Sequence, residues 1–456
     1  MSAHGLREDL RRLLPLAWPV LVGQVAVLAF GTIDTLLVAR HSPADLGAFA
    51  VGAAAYITVF VGLMGAVLAV SPMVGQLFGA GRDHAAGDEL HQGIWLALLL
   101  SLPGCALLLF PQPFLALAHA SPEMAGKVQG YLQALAVALP GSLLFTVYRA
   151  FNTAVSRPKA VMALQLGGLA LKVPLSAALV FGHPGLGLPE LGVTGAGIAT
   201  AAAMWLQVAI AAAVLRRDRF YDRFALWGQG LHRPQWSAIA GLLRLGVPMG
   251  LAVLVEVSAF SFMAFFIARL GAVPVAGHQI AMNLVSLMFM VPLSLANAGS
   301  TLVAQRVGAG DLTDARRLGW HALQIGTATS ALLALAVYLG REGVVALYTA
   351  DAAVAAAALP LLSWLVVFHV CDAAQTVAAF VLRAWRVATV PVVIYAGTLW
   401  GVGLGGGYAL AFNVGGAMPV ALRGAPGFWA AATAALVLAS VGLTGFKAWV
   451  LSRPRP

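Results

Sequence analysis

The sequence predicts an all-α polytopic membrane protein with twelve transmembrane helices in two six-helix lobes. Three observations support this fold class. The 456-residue chain is 61% hydrophobic and 10% charged, whereas a soluble domain has about 25% charged residues. Its apolar residues form stretches long enough to cross a bilayer, which takes about 20 helical residues each. The third observation is an internal repeat that recurs 229 positions further along the chain.

The repeat keeps one spacing through apolar segments and through a polar loop. Pro19 is matched by Pro248, Gln76 by Gln305, and the string FGAG (78–81) by VGAG (307–310). Two like apolar halves are typical of membrane transporters with internal repeats. Because each half holds an even number of helices, we expect both to run in the same sense, related by a pseudo-twofold axis along the membrane normal. The predicted domains are an N-terminal lobe (1–215), a cytoplasmic linker (216–237) and a C-terminal lobe (238–456).

Each predicted helix corresponds to one apolar stretch. The first follows an Arg-rich start, as in a signal peptide, but it is too long, lacks a clear cleavage site and belongs to the repeat, so we expect it to be retained. Polar elbows follow the second and eighth stretches, where glycines permit sharp turns. The twelve stretches are roughly 14–39, 46–78, 91–111, 127–152, 160–182, 193–215, 238–269, 275–306, 318–340, 354–383, 387–412 and 428–450.

The net charge of +10 is explained by membrane topology. Of the 27 basic residues, Lys172 lies within a helix and five lie on the outer side, which leaves 21 on the side of the N-terminus. This distribution follows the positive-inside rule and predicts that both termini are cytoplasmic. No nucleic-acid partner is needed to explain the charge. The five outer residues are Arg40, Lys127, Arg269, Arg341 and Arg423.

Four ionisable residues fall inside apolar stretches: Asp34, Glu256, Asp372 and Lys172. A charge near the centre of a membrane helix costs about 2.5–3.5 kcal/mol on insertion scales, so it normally faces an internal cavity and marks an ion or substrate path. We therefore predict that the three acids line an ion or substrate path. The two cysteines, Cys105 and Cys371, lie in hydrophobic segments and indicate neither a disulfide framework nor a thiolate metal site.

Glu256 and Asp372 lie near the middle of the seventh and tenth predicted helices. His369, Asp372 and Gln375 share one helical face at spacings of three residues, which predicts a polar pocket in the second half. His369 is either a proton relay or a packing histidine.

Two further polar pairs have alternative interpretations. Gln279 and Asn283 are spaced i, i+4 on the eighth helix and either line the cavity or hold helices together. Asp34 and Lys172 are natural partners, because a lone buried charge is costly. They form either a static ion pair or a switch in which protonation of Asp34 releases Lys172.

With these residues in place, the chain resembles the multidrug and toxic compound extrusion family, in its bacterial NorM-like branch. The resemblance covers nearly the whole chain and depends on several strings in the right order. These are LAWPVLVGQ (16–24), GTIDT (31–35), VGQLFGAG (74–81), PELGVTGAGIAT (189–200), GHQIA (277–281), and DAAQ (372–375) followed by LR (382–383).

The resemblance implies the fold of that family, with two six-helix lobes flanking a central cleft. It also implies export of organic, often cationic drugs against an inward H⁺ or Na⁺ gradient, with cation coupling at Asp34, Glu256 and Asp372. Phe289 lies near the position where some relatives place an aromatic ring against the cation. The chain departs from the family pattern at two positions. Ala384 replaces the usual glycine, and Lys172 stands where some sodium-coupled relatives have a polar but uncharged residue.

We therefore predict a secondary active antiporter of the bacterial inner membrane, which functions as a monomer and has no cofactor besides the coupling ion. A bound Na⁺ at Glu256 and Asp372 remains an alternative to H⁺. A lipid-linked precursor flippase of the same superfamily is a second alternative, disfavoured by twelve helices and three acids. An intramembrane aspartyl-type hydrolase using Asp34 and Asp372 is disfavoured because these acids lie in different lobes without a protease motif.

Overall fold

The structure is a computed structural model that describes residues 3–117, 121–183, 185, 187–227, 232–416 and 418–453. Within these residues the secondary structure is helical and no strand is present, which confirms the predicted all-α class. Residues 228–231 of the predicted linker and Arg455, one of the predicted cytoplasmic basic residues, lie outside the described residues.

Over the described ranges, twelve helices are long and apolar enough to span a bilayer, which confirms the predicted number. In chain order they are α1 (Ala3–His41), α2 (Pro43–Gly79), α3 (Asp83–Leu109), α4 (Pro122–Ala154), α5 (Pro158–Phe181), α6 (Gly192–Arg217), α7 (Trp236–Ala268), α8 (Ala272–Gly308), α9 (Leu312–Leu339), α10 (Leu365–Ala384), α11 (Thr389–Ala411) and α12 (Ala425–Ser452). Shorter helices cover Gln112–Leu117, Arg219–Phe224, Arg341–Tyr348 and Ala352–Leu362.

The helix boundaries differ from the predicted ones at several places, among them the start of α1, which begins at Ala3 instead of residue 14. The tenth predicted stretch is divided into Ala352–Leu362 and α10, with a turn at residues 363–364. Pro360 just before this turn has no N–H to donate to the preceding turn of helix. The two polar elbows are shorter than predicted, because α3 and α9 begin immediately after Arg82 and Asp311.

Glycine is required at one equivalent position in the two elbows. Gly81 has φ +69° and Gly310 has φ +77°, a conformation that L-residues with a Cβ adopt only with strain. The two glycines are 229 positions apart, so the repeated sequence also repeats the backbone turn.

The contacts divide the chain into two compact units, here called the N-terminal unit (residues 22–250) and the C-terminal unit (residues 1–21 with 251–456). Both boundaries fall inside long helices, α1 and α7, within three residues of Pro19 and Pro248. The predicted lobes, which follow the sequence repeat, stay a prediction.

One helix lies at the centre of each unit. In the most apolar 18-residue segment of α4, 78% of the residues are buried, and in that of α10, 67% are buried. In the corresponding segments of the other ten spans, only 22–44% of the residues are buried. Within the N-terminal unit α4 packs against α2, α3 and α6, and within the C-terminal unit α10 packs against α8, α9 and α12. A residue placed on α4 or α10 is therefore surrounded by protein on most sides.

The described part of the linker packs on the N-terminal unit. Tyr221 and Phe224 of its short helix are buried, and Trp95 Nε1 of α3 donates to the carbonyl oxygen of His232 at 2.7 Å. Asp218 caps the short helix by accepting a hydrogen bond from the backbone N–H of Phe220 at 2.9 Å. This N–H, together with the guanidinium of Arg157, holds the pKa of Asp218 below its ordinary value.

We expect Gly65→Ala to destabilise the protein. A Cβ at Gly65 would lie 2.1 Å from the Cα of Gly250, backbone against backbone, so α2 and α7 would have to separate. Overpacking of this kind costs about 1–3 kcal/mol, and thermal unfolding of the purified protein in detergent should show a lower midpoint.

Gly167→Ala in α5 is the matched control. A Cβ there meets no atom within 4 Å, and alanine is favoured over glycine in a helix interior by up to about 1 kcal/mol. Equal unfolding midpoints for the two variants would contradict the close approach of α2 and α7.

Candidate functional site

In the C-terminal unit, two helices bring two of the predicted acids to one buried amide. Gln375 Nε2 on α10 donates to Glu256 Oε1 on α7 at 2.8 Å and to Asp372 Oδ1 on α10 at 3.0 Å. The same nitrogen is 3.1 Å from Thr376 Oγ1. Gln375 has no exposed surface and Asp372 is 5% exposed, while Glu256 is partly exposed. The two carboxylates therefore share one donor group in a low-dielectric environment.

Tyr395 of α11 completes this site, and sequence reasoning missed it. Its hydroxyl donates to the side-chain oxygen of Gln375, and the residue is 2% exposed. A tyrosine in an apolar helix has no sequence signal that separates it from a packing residue. Only the packing of α11 beside α10 shows that its hydroxyl reaches the amide.

The remaining residues predicted for the second half are not hydrogen-bonded to this site. Asn283 on α8 is exposed and accepts a hydrogen bond from the hydroxyl of Tyr348 at 2.9 Å. Gln279, one turn earlier, is also exposed, and Phe289 is half-buried. Their predicted role in lining the cavity stays a prediction.

His369 lies one turn before Asp372 on α10 and is fully buried. Among the described residues, neither ring nitrogen has a hydrogen-bond partner. A buried polar group without a partner is costly. Its role as a proton relay stays a prediction.

In the N-terminal unit, Asp34 of α1 and Lys172 of α5 are in direct contact. Lys172 Nζ donates to Asp34 Oδ2 at 2.6 Å, and Ser176 Oγ donates to Asp34 Oδ1 at 3.1 Å. Asp34 and Lys172 are each 3% exposed, and Ser176 is fully buried. The ammonium also lies 4.7 Å from the ring centroid of Phe30. Both carboxylate oxygens of Asp34 are therefore occupied by donors.

The two acid sites differ in how their negative charge is balanced. Asp34 has an ammonium at hydrogen-bond distance. Within the described ranges, neither Glu256 nor Asp372 has a Lys, Arg or His nitrogen within 4.0 Å. A neutral amide stabilises ionised carboxylates by hydrogen bonds but does not neutralise their charge.

Asp9 and Asp45 are further buried acids that were missed because they lie before the first and second predicted apolar stretches. Asp9 near the start of α1 has no exposed surface and contacts Arg12 at 3.1 Å and His321 Nδ1 at 2.6 Å. Asp45 at the start of α2 is 3% exposed and contacts His41 and, at 2.7 Å, Lys127. Because both acids have basic partners on neighbouring turns or helices, their role is to hold the ends of helices together.

The helical repeats, the number of spans and the buried acids define a membrane transporter. The family profile described as MatE matches residues 19–178 and 248–409, two segments that begin 229 positions apart, as the sequence repeat does. The chain belongs to the MatE family. This membership assigns it to the secondary transporters and not to intramembrane hydrolases.

Related sequences and structures cover almost the whole chain. A probable multidrug resistance protein NorM from Aromatoleum aromaticum is 41% identical over 446 residues, which are 97% of this chain and 95% of that protein. The multidrug resistance protein NorM of Vibrio cholerae is 34% identical, with 80% of this chain and 79% of that protein covered. The chain is therefore similar to NorM-like members of the family.

Solved structures of MATE transporters share the fold. The eukaryotic MATE transporter AtDTX14 has a TM-score of 0.86 at 20% identity, with 99% of this chain and 97% of that chain covered. The Vibrio cholerae MATE transporter VcmN in its bent form has a TM-score of 0.84 at 19% identity, with 98% of each chain covered.

We expect the Asp34–Lys172 pair to be strongly coupled in stability. Asp34→Asn or Lys172→Gln alone leaves one buried charge without its partner, which costs about 3–5 kcal/mol. The double variant leaves no charge and should recover much of the lost stability. Thermal unfolding of the four proteins in detergent, analysed as a double-mutant cycle, measures this coupling. Additive losses would show that the two charges do not stabilise each other.

Proposed function

We propose that this protein exports organic, often cationic compounds in exchange for H⁺ that moves inward, by alternating access. The relatives described above are named multidrug resistance proteins, which supports drugs and other organic molecules as the substrate class. The observation that carries the proton-coupling part is the pair Glu256 and Asp372, held by one amide and without a basic partner in the described chain.

Proton and substrate compete for the same negative charge in this mechanism. Two nearby carboxylates in a low-dielectric site repel each other, and uptake of one proton relieves both the repulsion and the desolvation. A cationic substrate balances the ionised pair in the same way. Protonation from the outer side therefore weakens substrate binding and favours release outward, and loss of the proton to the cytoplasm restores the site for the next substrate.

The N-terminal unit favours H⁺ over Na⁺ as the coupling ion. A Na⁺ ion at Asp34 would have to displace the ammonium of Lys172 and the hydroxyl of Ser176 from the two carboxylate oxygens. A proton on Asp34 instead neutralises the acid, after which the ion pair no longer holds α1 to α5. We propose that Asp34 takes part in coupling in this way, as a switch. Na⁺ at Glu256 and Asp372 is the competing proposal.

The proposed setting is the bacterial inner membrane, with the N- and C-termini in the cytoplasm. This orientation is supported by the excess of basic residues in the loops and tails predicted to lie on the same side of the membrane as the N-terminus. A monomer is sufficient, because both acid sites are built from residues of one chain.

Glu256→Gln and Asp372→Asn should each abolish proton-driven transport. We expect wild-type protein in proteoliposomes to concentrate a fluorescent cationic dye about tenfold per pH unit for one-to-one exchange, because 1.4 kcal/mol corresponds to a factor of ten. Either variant should leave the dye near its equilibrium distribution. Separate pH and Na⁺ gradients, imposed on the same preparation, identify the coupling ion.

Glu123→Gln and Asp222→Asn are the matched controls. Both acids are exposed and lie outside the two sites, so transport should be unchanged. Undiminished proton-driven transport by both Glu256→Gln and Asp372→Asn would overturn the mechanism. Accumulation driven by the Na⁺ gradient alone would establish Na⁺ as the coupling ion.

A further inference from the structure

The amide of Gln375 has more acceptors within reach than hydrogens to donate. Its nitrogen carries two hydrogens but lies within 3.1 Å of oxygens of Glu256, Asp372 and Thr376. On the other side of the amide, the side-chain oxygen accepts a hydrogen bond from the hydroxyl of Tyr395. The direction in which this amide points decides whether the two carboxylates face a donor or an acceptor.

The amide direction and the charge of the carboxylates depend on each other. With the N–H₂ group towards the acids, two ionised carboxylates are stabilised by hydrogen bonds. With the amide reversed, its oxygen faces the acids, which is unfavourable for ionised carboxylates and favourable for a protonated carboxyl O–H. A group that holds the first orientation therefore opposes proton uptake by the pair.

The main chain of α11 changes from an α-helix to a π-helix directly after Tyr395. Residues 389–395 are α-helical, and the next eleven residues, Ala396–Gly406, form a π-helix, a wide form that is rare and often marks functional sites. One turn into the π-helix, Trp400 Nε1 donates to the carbonyl oxygen of Val255 at 3.1 Å. Val255 precedes Glu256, so α11 contacts both helices that carry the acids, α10 through Tyr395 and α7 through Trp400.

We propose that Tyr395 is a positioning residue of the coupling site, which keeps the Gln375 amide directed at Glu256 and Asp372 and thereby sets the pH at which they exchange a proton for substrate. This proposal rests on the proposed function of the pair. Tyr395 need not touch the proton or the substrate; it acts through the amide.

Other charged groups near the pair lie outside this hydrogen-bond chain. Arg383, about three turns beyond Asp372 on α10, is buried and its charge acts on Glu256, and His369 lies one turn before Asp372. From the neighbouring helices, His278 of α8 accepts from Trp429 of α12 at 3.2 Å, and Lys447 of α12 donates to the Gly319 carbonyl of α9 at 3.2 Å.

The test is equilibrium binding of a fluorescent cationic dye to the purified full-length protein across a pH series. In Tyr395→Phe, the Gln375 oxygen loses its donor and the amide is free to reverse, so the carboxylates take up protons more readily. The pH of half-maximal dye binding should therefore rise by about 0.5–1 unit. Tyr338→Phe in α9, which removes a hydroxyl elsewhere in the same unit, should leave the midpoint unchanged.

Gln375→Leu provides an independent second variant. It removes the amide and should raise the midpoint in the same direction, and adding Tyr395→Phe to it should produce no further shift. A purely structural role of Tyr395 would instead weaken dye binding at every pH without moving the midpoint. An unchanged midpoint in Tyr395→Phe, or a fully additive shift in the double variant, would overturn the proposal.

The dye-binding series also separates this proposal from the proposed function. If Glu256→Gln and Asp372→Asn both bind the dye with the wild-type pH dependence, the pair is not the coupling site and both proposals fail. If these variants lose the pH dependence while Tyr395→Phe keeps the wild-type midpoint, the coupling site stands and only the positioning role fails.

Discussion

The need to balance buried charge explains the contacts of the buried aspartates in this protein. Removing a charge from water costs several kcal/mol unless a partner compensates for it. Asp34 meets this requirement with Lys172, Asp9 with Arg12 and His321, and Asp45 with His41 and Lys127. Glu256 and Asp372 are balanced differently, since Gln375 supplies hydrogen bonds without a positive charge. Where buried negative charge is not fully compensated by basic side chains, binding of a mobile cation is favourable.

The duplicated scaffold carries unequal chemistry. The repeat preserves the backbone turns at Gly81 and Gly310 and places α4 and α10 at the centres of the two units. It does not preserve the acids, because the position equivalent to Asp34 is Met263 and the position equivalent to Glu256 is Val27. Packing depends on size and hydrophobicity, which both halves retain, whereas proton coupling depends on a few carboxylates that need to be present only once.

At one pair of equivalent positions, different side chains make similar contacts with the beginning of a long helix. Gln92 of α3 contacts the chain that leads into α7, by donating to the carbonyl oxygen of Arg233 and accepting from the N–H of Gln235. The residue 229 positions later is His321 of α9, which contacts Asp9 in the first part of α1. Each of these side chains joins the beginning of a long helix to a neighbouring helix of the same unit, Gln92 through backbone groups and His321 through a carboxylate.

The sequence by itself determined the membrane class, the number of spans and the four charged residues within them, because bilayer thickness and the cost of buried charge act on the chain locally. It also indicated the face of α10 that carries Asp372 and Gln375, since helical periodicity relates residues three apart. Tertiary structure alone decided that Tyr395 reaches this amide, that Ser176 joins Asp34, and that Asp9 and Asp45 are buried. Those contacts join residues 20–312 positions apart, and no local pattern specifies which side chains of separate helices meet when the helices pack.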